Sequence, residues 1–534
     1  MRTKGVNIEV SHKQDHSVLK NALKMAFGTM TSRVLGQVRE SLMAAYFDKQ
    51  ITDAWNAAYR LPNLFRRLLG EGSLSVSFIP VFVDCHLEST QKAQNLVNSV
   101  YSFLLLILGV ITAIGIIFPE PILGWILDPH FVADTEKFLL TVRLAKIMFG
   151  FLFFISSYAF MMGILNALGQ FALPAMAPTL WNISMILFTI APTHWFSVNG
   201  DQLALGVLIG GALQAAILIP ALVKTGYLPK FNFDIKNSDF LKFLKKMAPG
   251  ILGTGLLQFT TLINLKFSSA YAEGTISYIN YIDRLIELPL SLISVSIGTA
   301  LLPALAGFYS KGEISKFSET TRRYLELNML MTMAAAAGLY SLSRPIVDLL
   351  FGAGRFQSED VAATASILKT YCWIMIFSSG VRVVTPAYYA VKNTWFPATV
   401  SCFCLLVHII LAPQLMKLFQ VHGLMMSTIV SAFLNLTLLL IFYRKYIGEF
   451  DFKSFFKNIL YFALLAFSTA AVANIFYLLE SNFPSGKLFL LANIFISITV
   501  AISIFVSLGF LFKVKAVSEV VDKVRMRIKQ NRTK

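Results

Sequence analysis

Cysteine is scarce in this chain and poorly spaced for chemistry. Cys85, Cys372, Cys402 and Cys404 are too few for a disulfide framework and too scattered for a zinc site. Cys402 and Cys404 lie two apart on an apolar stretch, so they point to different sides of a helix and read as small core residues. The seven histidines form neither an HExxH motif nor a cluster, and His408 reads as a hydrogen-bonded core residue. There is no Walker motif. Gly253-Thr254-Gly255 and Gly352-Ala353-Gly354 lack the strand–turn–helix setting of a nucleotide loop, so ATP is not expected as an energy source within the chain. Neither a cofactor nor a metal is expected. The first residues, MRTKGVNIEVSHKQDHSVLK, are polar and basic with no apolar core before a small-residue cleavage site, so no cleaved signal peptide is expected.

Charge is scarce as well. Of 534 residues 14% are charged and 56% hydrophobic, and a mean hydropathy of +0.65 excludes a water-soluble globule of this length. Apolar runs long enough to cross ~30 Å of hydrocarbon recur from end to end. Lipid cannot satisfy backbone polar groups, so these runs must be helices. The sequence therefore predicts an all-α polytopic membrane protein with about fourteen transmembrane helices.

The formal charge of +17 does not indicate nucleic acid, because the basic residues sit in alternate loops. Clusters at Lys13 to Lys24, Lys230 to Lys246, Lys311 to Arg323, Arg444 to Lys457 and the C-terminal tail alternate with loops poor in Lys and Arg. This positive-inside pattern predicts that both termini are cytoplasmic. The basic stretch 224–246 is the natural seam between two halves. Residues 1–223 then form an N-terminal lobe of six spans and 247–445 a C-terminal lobe of six. Residues 446–512 hold spans thirteen and fourteen, and 513–534 a basic cytoplasmic tail.

An internal repeat supports that division. Pro80 and Pro303, Pro121 and Pro345, and Pro174 and Pro397 each hold an offset of 223 or 224 residues, and Arg60-Leu61 maps onto Arg284-Leu285 at 224. With six spans per half, both halves start on the same side, a parallel repeat that brackets a cavity.

The few charges inside spans are the informative ones. Arg66 lies roughly 20 Å from the Asp53 end of the second span, too deep to snorkel. A mid-membrane arginine costs about 2.5–3.5 kcal/mol on insertion scales, so a group of them must face water or partners. Arg67 and Glu71 can pair at i,i+4, while Arg33 and Glu40 share a face at i,i+7 with Gly36 between them. Arg66 has Pro62 and Gly70 at i−4 and i+4, which places no carboxylate in its helical reach, and Arg39 points about 100° away from Glu40. In YIDRLIELP, Arg284 lies beside Asp283 and at i,i+3 from Glu287. Seven positive and five negative side chains in the first, second, seventh and eighth spans leave a net +2. Guanidinium groups in a wet, positive chamber suit a phosphate or diphosphate. Pro62, Gly70, Gly72 and Pro80 break the second span and mark a hinge.

The motifs SRVLGQVRE, TDAWNAAYRLPNLFRRLLGEGSLSVSFIPVF, GILNALGQFALPAMAPTLWNIS, YIDRLIELP, GTALLPAL and LFGAGRF resemble the MurJ (MviN) lipid II flippases of the multidrug/oligosaccharidyl-lipid/polysaccharide exporter superfamily. The likeness covers residues 32 to about 435. It implies transport of the undecaprenyl-diphosphate-linked disaccharide-pentapeptide, the peptidoglycan precursor, from the inner to the outer leaflet of the bacterial plasma membrane. In that family cavity arginines hold the diphosphate, and the matching positions are Arg33, Arg39, Arg66 and Arg284. Glu40, Asp53 and Glu71 match acidic positions, and Glu40, Asp53, Arg67, Glu71, Asp283 and Glu287 are expected as supporting ion-pair or gate residues. The last two spans are expected to form a lipid-tail groove. A sodium site described for some relatives uses second-lobe carboxylates and amides. Here VSCFCLLVHII has no carboxylate and the seventh span offers only Asn264 and Lys266, so sodium coupling is not expected.

The implied protein is a monomeric transporter rather than an enzyme. Its partners are the lipid-linked precursor, membrane lipids and the cell-wall synthesis proteins, not nucleic acid. A flippase for another polyprenyl-diphosphate glycan, a drug exporter, a membrane-embedded glycan transferase and a non-transporting scaffold stay open as alternatives. The arginines count against a cationic-drug exporter, and a transferase lacks its acidic metal pair or His/Asp set.

Overall fold

The computed structural model describes residues 28–68, 73–232, 234, 237–479 and 486–511. The side chains of residues 73–76, 248–257 and 476–479 lie outside that description. Gly70, Glu71 and Gly72, and the basic tail from residue 513, are also outside the described residues. Among the described residues there is no strand.

Two compact units divide the chain, Met1–Ile276 and Ser277–Lys534. The first holds α1 (28–46), α2 (Lys49–Arg66), α3 (Ser73–Glu88), α4 (Thr90–Ile117), α5 (Pro119–Ile126) and α6 (Pro129–Ala133). It continues with α7 (Thr135–Ala167), α8 (Ala172–Ile190), α9 (Asp201–Ala216), α10 (Ile219–Thr225) and α11 (Ser238–Ser268). The second holds nearly all of α12 (Thr275–Leu290), a π turn (Ser291–Val295), α13 (Ser296–Ser310), α14 (Ile314–Ser341), α15 (Ser343–Phe351) and α16 (Ser358–Tyr371). After these come α17 (Ile374–Ala390), α18 (Trp395–Phe419), α19 (Val421–Ile441), α20 (Tyr443–Tyr446), α21 (Phe452–Leu479) and α22 (Lys487–Leu511).

Among the described residues nine helices are long and apolar enough to cross a membrane, or eleven when the bent pairs α14/α15 and α16/α17 each count as one span. The other long elements, α1, α2/α3 and α11, complete about fourteen. Those three carry several of the intramembrane charges and amides, which lower their hydropathy without shortening them. The protein is thus all-α and polytopic.

Packing follows the small residues. On α9, Gly206 and Gly210 sit against α8 so closely that a Cβ at Gly210 would lie 2.8 Å from the Trp181 ring. The pair is a helix contact, as its spacing predicts. Trp55 and Tyr59 stack at 5.0 Å, and Tyr59 continues the stack onto Trp181 at 6.0 Å, so α2 is held against α8 by aromatic faces. Cys85, Cys372 and Cys404 are buried and Cys402 is half-buried, all free. His408 is buried and its Nδ1 lies 3.0 Å from Ser427 Oγ, the hydrogen-bonded core histidine expected of it.

The repeat is visible element by element. Pro174 and Pro397 are each the third residue of their helices, α8 and α18. A π distortion at Arg67 and Leu68, where α2 ends, recurs 224 residues later at Ser291, where α12 ends. Single π turns in long helices mark places where the backbone has been re-aimed.

Candidate functional site

The predicted arginines fall into two environments. Arg33 on α1, Arg67 at the end of α2 and Arg284 on α12 are exposed, and Arg66 is half-buried. Arg66 Nε donates to Asn63 Oδ1 at 3.0 Å, one turn back on α2. Pro62 lies one turn before it inside the same helix, removing a backbone donor next to the break.

Arg39 departs from the expectation of an open guanidinium. It is 2% exposed, and its Nη1 donates to Asn182 Oδ1 of α8 at 3.1 Å. Its Nη2 pairs with the carboxylate of Glu40, and its central carbon lies 4.5 Å from the centre of the Trp181 ring. Neighbouring helical residues do not normally face each other, but the long arginine stem folds its planar head back onto the adjacent carboxylate. Asn182 completes the arrangement by donating to the carbonyl of Ser32 at 3.0 Å. Arg39 thus braces α1 against α8.

Glu287 also differs from its predicted i,i+3 partnership with Arg284. Arg382 on α17 grips both Glu287 oxygens, at 3.3 and 3.0 Å. The bidentate fork from a neighbouring helix satisfies both carboxylate oxygens in one plane, which a partner on the same helix does not match. Sequence reasoning passed over Arg382. Its signal was available, since SSGVRVV places one arginine in an otherwise uncharged run. Asp283 is half-buried beside exposed Arg284.

At one end of unit 1 Asp53 is 1% exposed and accepts from Lys137 Nζ at 3.0 Å and from the backbone N–H of Gly274 at 2.7 Å. Lys137, 5% exposed at the start of α7, also lies over the Phe131 ring at 4.8 Å. Nearby, Ser269 Oγ accepts from the Asp128 backbone at 2.9 Å, and Lys266 donates to the Trp125 carbonyl at 3.3 Å. These contacts draw together the start of α2, the start of α7 and the turn that follows α11. The sequence reading had Asp53 as an ion-pair or gate candidate but missed Lys137, which lies 84 residues away at the start of α7. Glu71, Gly70 and Gly72 lie outside the described residues. Among the described residues, no group of three or more His, Cys, Asp or Glu side chains converges as a metal site would require.

Known proteins give this arrangement a context. Residues 43–512 match the family described as the lipid II flippase MurJ. A probable lipid II flippase MurJ of Bdellovibrio bacteriovorus is 45% identical over 511 residues, covering 95% of this chain and 97% of its own. The lipid II flippase MurJ of Burkholderia cenocepacia is 30% identical over 78% of this chain and 82% of its own. Among solved structures, a lipid II flippase MurJ in an inward closed conformation is 26% identical, with a TM-score of 0.76 over 91% of this chain and 99% of its own. An inward-facing multidrug resistance MATE transporter of the MOP superfamily shares the fold at 12% identity, with a TM-score of 0.66 over 82% of this chain. With the family matched across nearly its whole length, the chain belongs to the MurJ lipid II flippase family.

Proposed function

We propose that this inner-membrane, multi-pass protein moves lipid II from the inner to the outer leaflet by alternating access, as a monomer with both termini cytoplasmic. It makes and breaks no covalent bond; the work is recognition and a change of shape. Arg33, Arg66 and Arg284 supply guanidinium donors to the diphosphate, and Arg39, buried against Glu40, Asn182 and Trp181, keeps α1 and α8 in register behind them.

The observation that carries this reading is the contrast among the arginines. Arg39 is locked in the interior, whereas Arg33 and Arg284 are exposed residues on elements that otherwise run through hydrocarbon. Exposed cations there are costly unless an aqueous path and an anion meet them. A diphosphate accepts the planar fork in the bidentate geometry that suits it. Asp53, Lys137 and Gly274 act as a closure on the outer side, opened when the precursor is delivered. The polyprenyl tail stays in lipid along α21 and α22, which carry long rows of exposed apolar side chains such as Leu460, Phe467, Phe495 and Ile502. Contact with cell-wall synthesis proteins on the outer side hands the product on.

A membrane potential, negative inside, favours outward movement of the diphosphate by ~2.3 kcal/mol per charge per 100 mV, which supplies a drive without sodium. The deciding experiment is transport of lipid II in proteoliposomes with a leaflet-selective label. Arg66→Ala and Arg284→Ala are each expected to lower transport about 100-fold, as loss of two charge-assisted hydrogen bonds implies. Transport by both variants within a factor of two of the parent would refute the assignment, and indifference to an imposed potential would refute the drive.

A further inference from the structure

The segment joining α10 to α11 is fastened to unit 1 along its whole described length. It leaves α10 through Gly226, whose φ of +77° turns the chain without a Cβ penalty. Tyr227, 2% exposed, follows at once. Its ring packs edge-on against Phe82 at 5.2 Å, and its hydroxyl meets His86 Nδ1 at 2.5 Å, both on α3.

From there the chain runs extended beside α4. Gln94 Nε2 donates to the Leu228 carbonyl at 3.0 Å. Asn98 Oδ1 accepts from Lys230 N–H at 2.8 Å, and Ser102 Oγ accepts from Asn232 N–H at 2.8 Å. Gln94, Asn98 and Ser102 are spaced i, i+4, i+8 and so line one edge of a helix, whereas 228, 230 and 232 are alternate residues of an extended segment. Four helical residues rise ~6.0 Å and two extended residues ~6.6 Å, so the two periods can run in step over three rungs. Gln94 also donates to Asn98 Oδ1 at 2.8 Å, joining the first rung to the second.

At the far end Asn237 caps α11, accepting from Asp239 and Phe240 N–H. Asp239, 4% exposed, binds Lys242 at 2.8 Å and Lys92 of α4 at 3.4 Å. Phe243 of α11 then meets Phe78 of α3 edge-on at 6.3 Å. The half-helix that follows the Arg66 break is therefore gripped by Tyr227 at one point and by α11 at another.

We propose that residues 227–232 form a permanent strap that makes α3, α4 and the start of α11 one mechanical piece, so that displacement of α11 during transport reaches the break beside Arg66 through α3. This rests on alternating access as proposed above. The strap stays docked throughout the cycle, and coupling fails when it is released.

Two full-length variants in proteoliposomes test it. Gln94→Ala/Asn98→Ala/Ser102→Ala removes every rung, and trypsin is expected to cut after Lys230 at least about 10-fold faster than in the parent, because cleavage follows the population of the opened segment. Its transport should fall while its affinity for a short-chain lipid-linked diphosphate holds. Ser102→Cys/Asn232→Cys, oxidised, locks the strap and should leave transport within a factor of two of the reduced form. Unchanged cleavage in the triple variant, or transport abolished by the lock, overturns the proposal. The proteolysis reads the strap whether or not the chain transports lipid II, so a failure of the transport reading alone is seen separately.

Discussion

The second and eighth spans occupy the same place in the repeat and are fastened by different chemistry. Near the start of α2, Asp53 forms a buried ion pair with Lys137 and takes the Gly274 N–H. The position 224 residues on is Ser277, buried at 1% and uncharged. There the neighbouring Tyr278 does the fastening instead, its hydroxyl donating to Asp360 Oδ1 on α16. Asp360 in turn accepts from Gln357 N–H at 2.9 Å as part of the capping box that starts α16. Both ties join a transmembrane helix to the start of a later helix in its own unit. The first depends on two formal charges removed from water, the second on one carboxylate that keeps a backbone donor whatever the tyrosine does. A buried charge pair is sensitive to the loss of either member, and a capped carboxylate is not. The asymmetry fits a device in which one tie opens and its counterpart holds.

The largest expected effect tests that asymmetry directly. Asp53→Ala strands the Lys137 ammonium in the interior and should cost about 3–5 kcal/mol of stability, because the remaining charge has no compensation. Asp53→Leu combined with Lys137→Met should recover most of the loss, since apolar residues of similar volume often replace a buried pair without penalty. Denaturation in a mild detergent, followed by intrinsic tryptophan fluorescence, measures both. A double variant no better than the single one would mean that the Gly274 contact, not the ion pair, carries the tie.

Tyr278→Phe is the matching change in the other unit, and it should cost only about 1.5 kcal/mol, the lower value for a hydrogen bond to a charged group. Asp360 keeps the Gln357 N–H, so no orphaned charge is left. The same unfolding assay applies. A loss as large as that of Asp53→Ala would erase the distinction between the two ties.

How far the sequence foretold these arrangements depends on the range of the forces involved. Helices in lipid are dictated by composition alone, because nothing but an internally bonded backbone survives there. The fold class was therefore legible from apolar runs, and the repeat from spacings that the shared π distortions reproduce, whereas the bends between α14 and α15 and between α16 and α17 carried no signal that was read. Side-chain partnerships were not legible from spacing along one helix, which placed Arg39 about 100° from the Glu40 it pairs with. Arg39 and Glu287 illustrate the limit: their partners Asn182, Trp181 and Arg382 stand on other helices, and no spacing along one segment discloses them. Lys137 escaped notice for the same reason, 84 residues from Asp53. The strap was invisible for a different one, because Gln94, Asn98 and Ser102 look like the ordinary polar end of a transmembrane helix until residues 228–232 are laid beside them.

The smallest effect concerns the other face of unit 1, where the tie is again a carboxylate among lysines but lies at the strap, outside the spans. Lys242 donates to Asp239, and with the charge of Lys92 this holds the Asp239 carboxyl below its usual range, despite the opposing pull of burial. A carboxyl whose folded pKa is depressed contributes stability above its unfolded value of about 3.9 and loses it as pH falls through the folded value. Trypsin resistance after Lys230 should therefore be flat from about pH 8 to pH 5, once corrected for the protease's own pH response, with the weakening confined to lower pH. In Asp239→Asn the low-pH weakening should be absent, and the residual resistance should come from the three hydroxyl and amide rungs, which do not titrate. A low-pH weakening that persists unchanged in Asp239→Asn would instead move the controlling contact away from Asp239 and the start of α11.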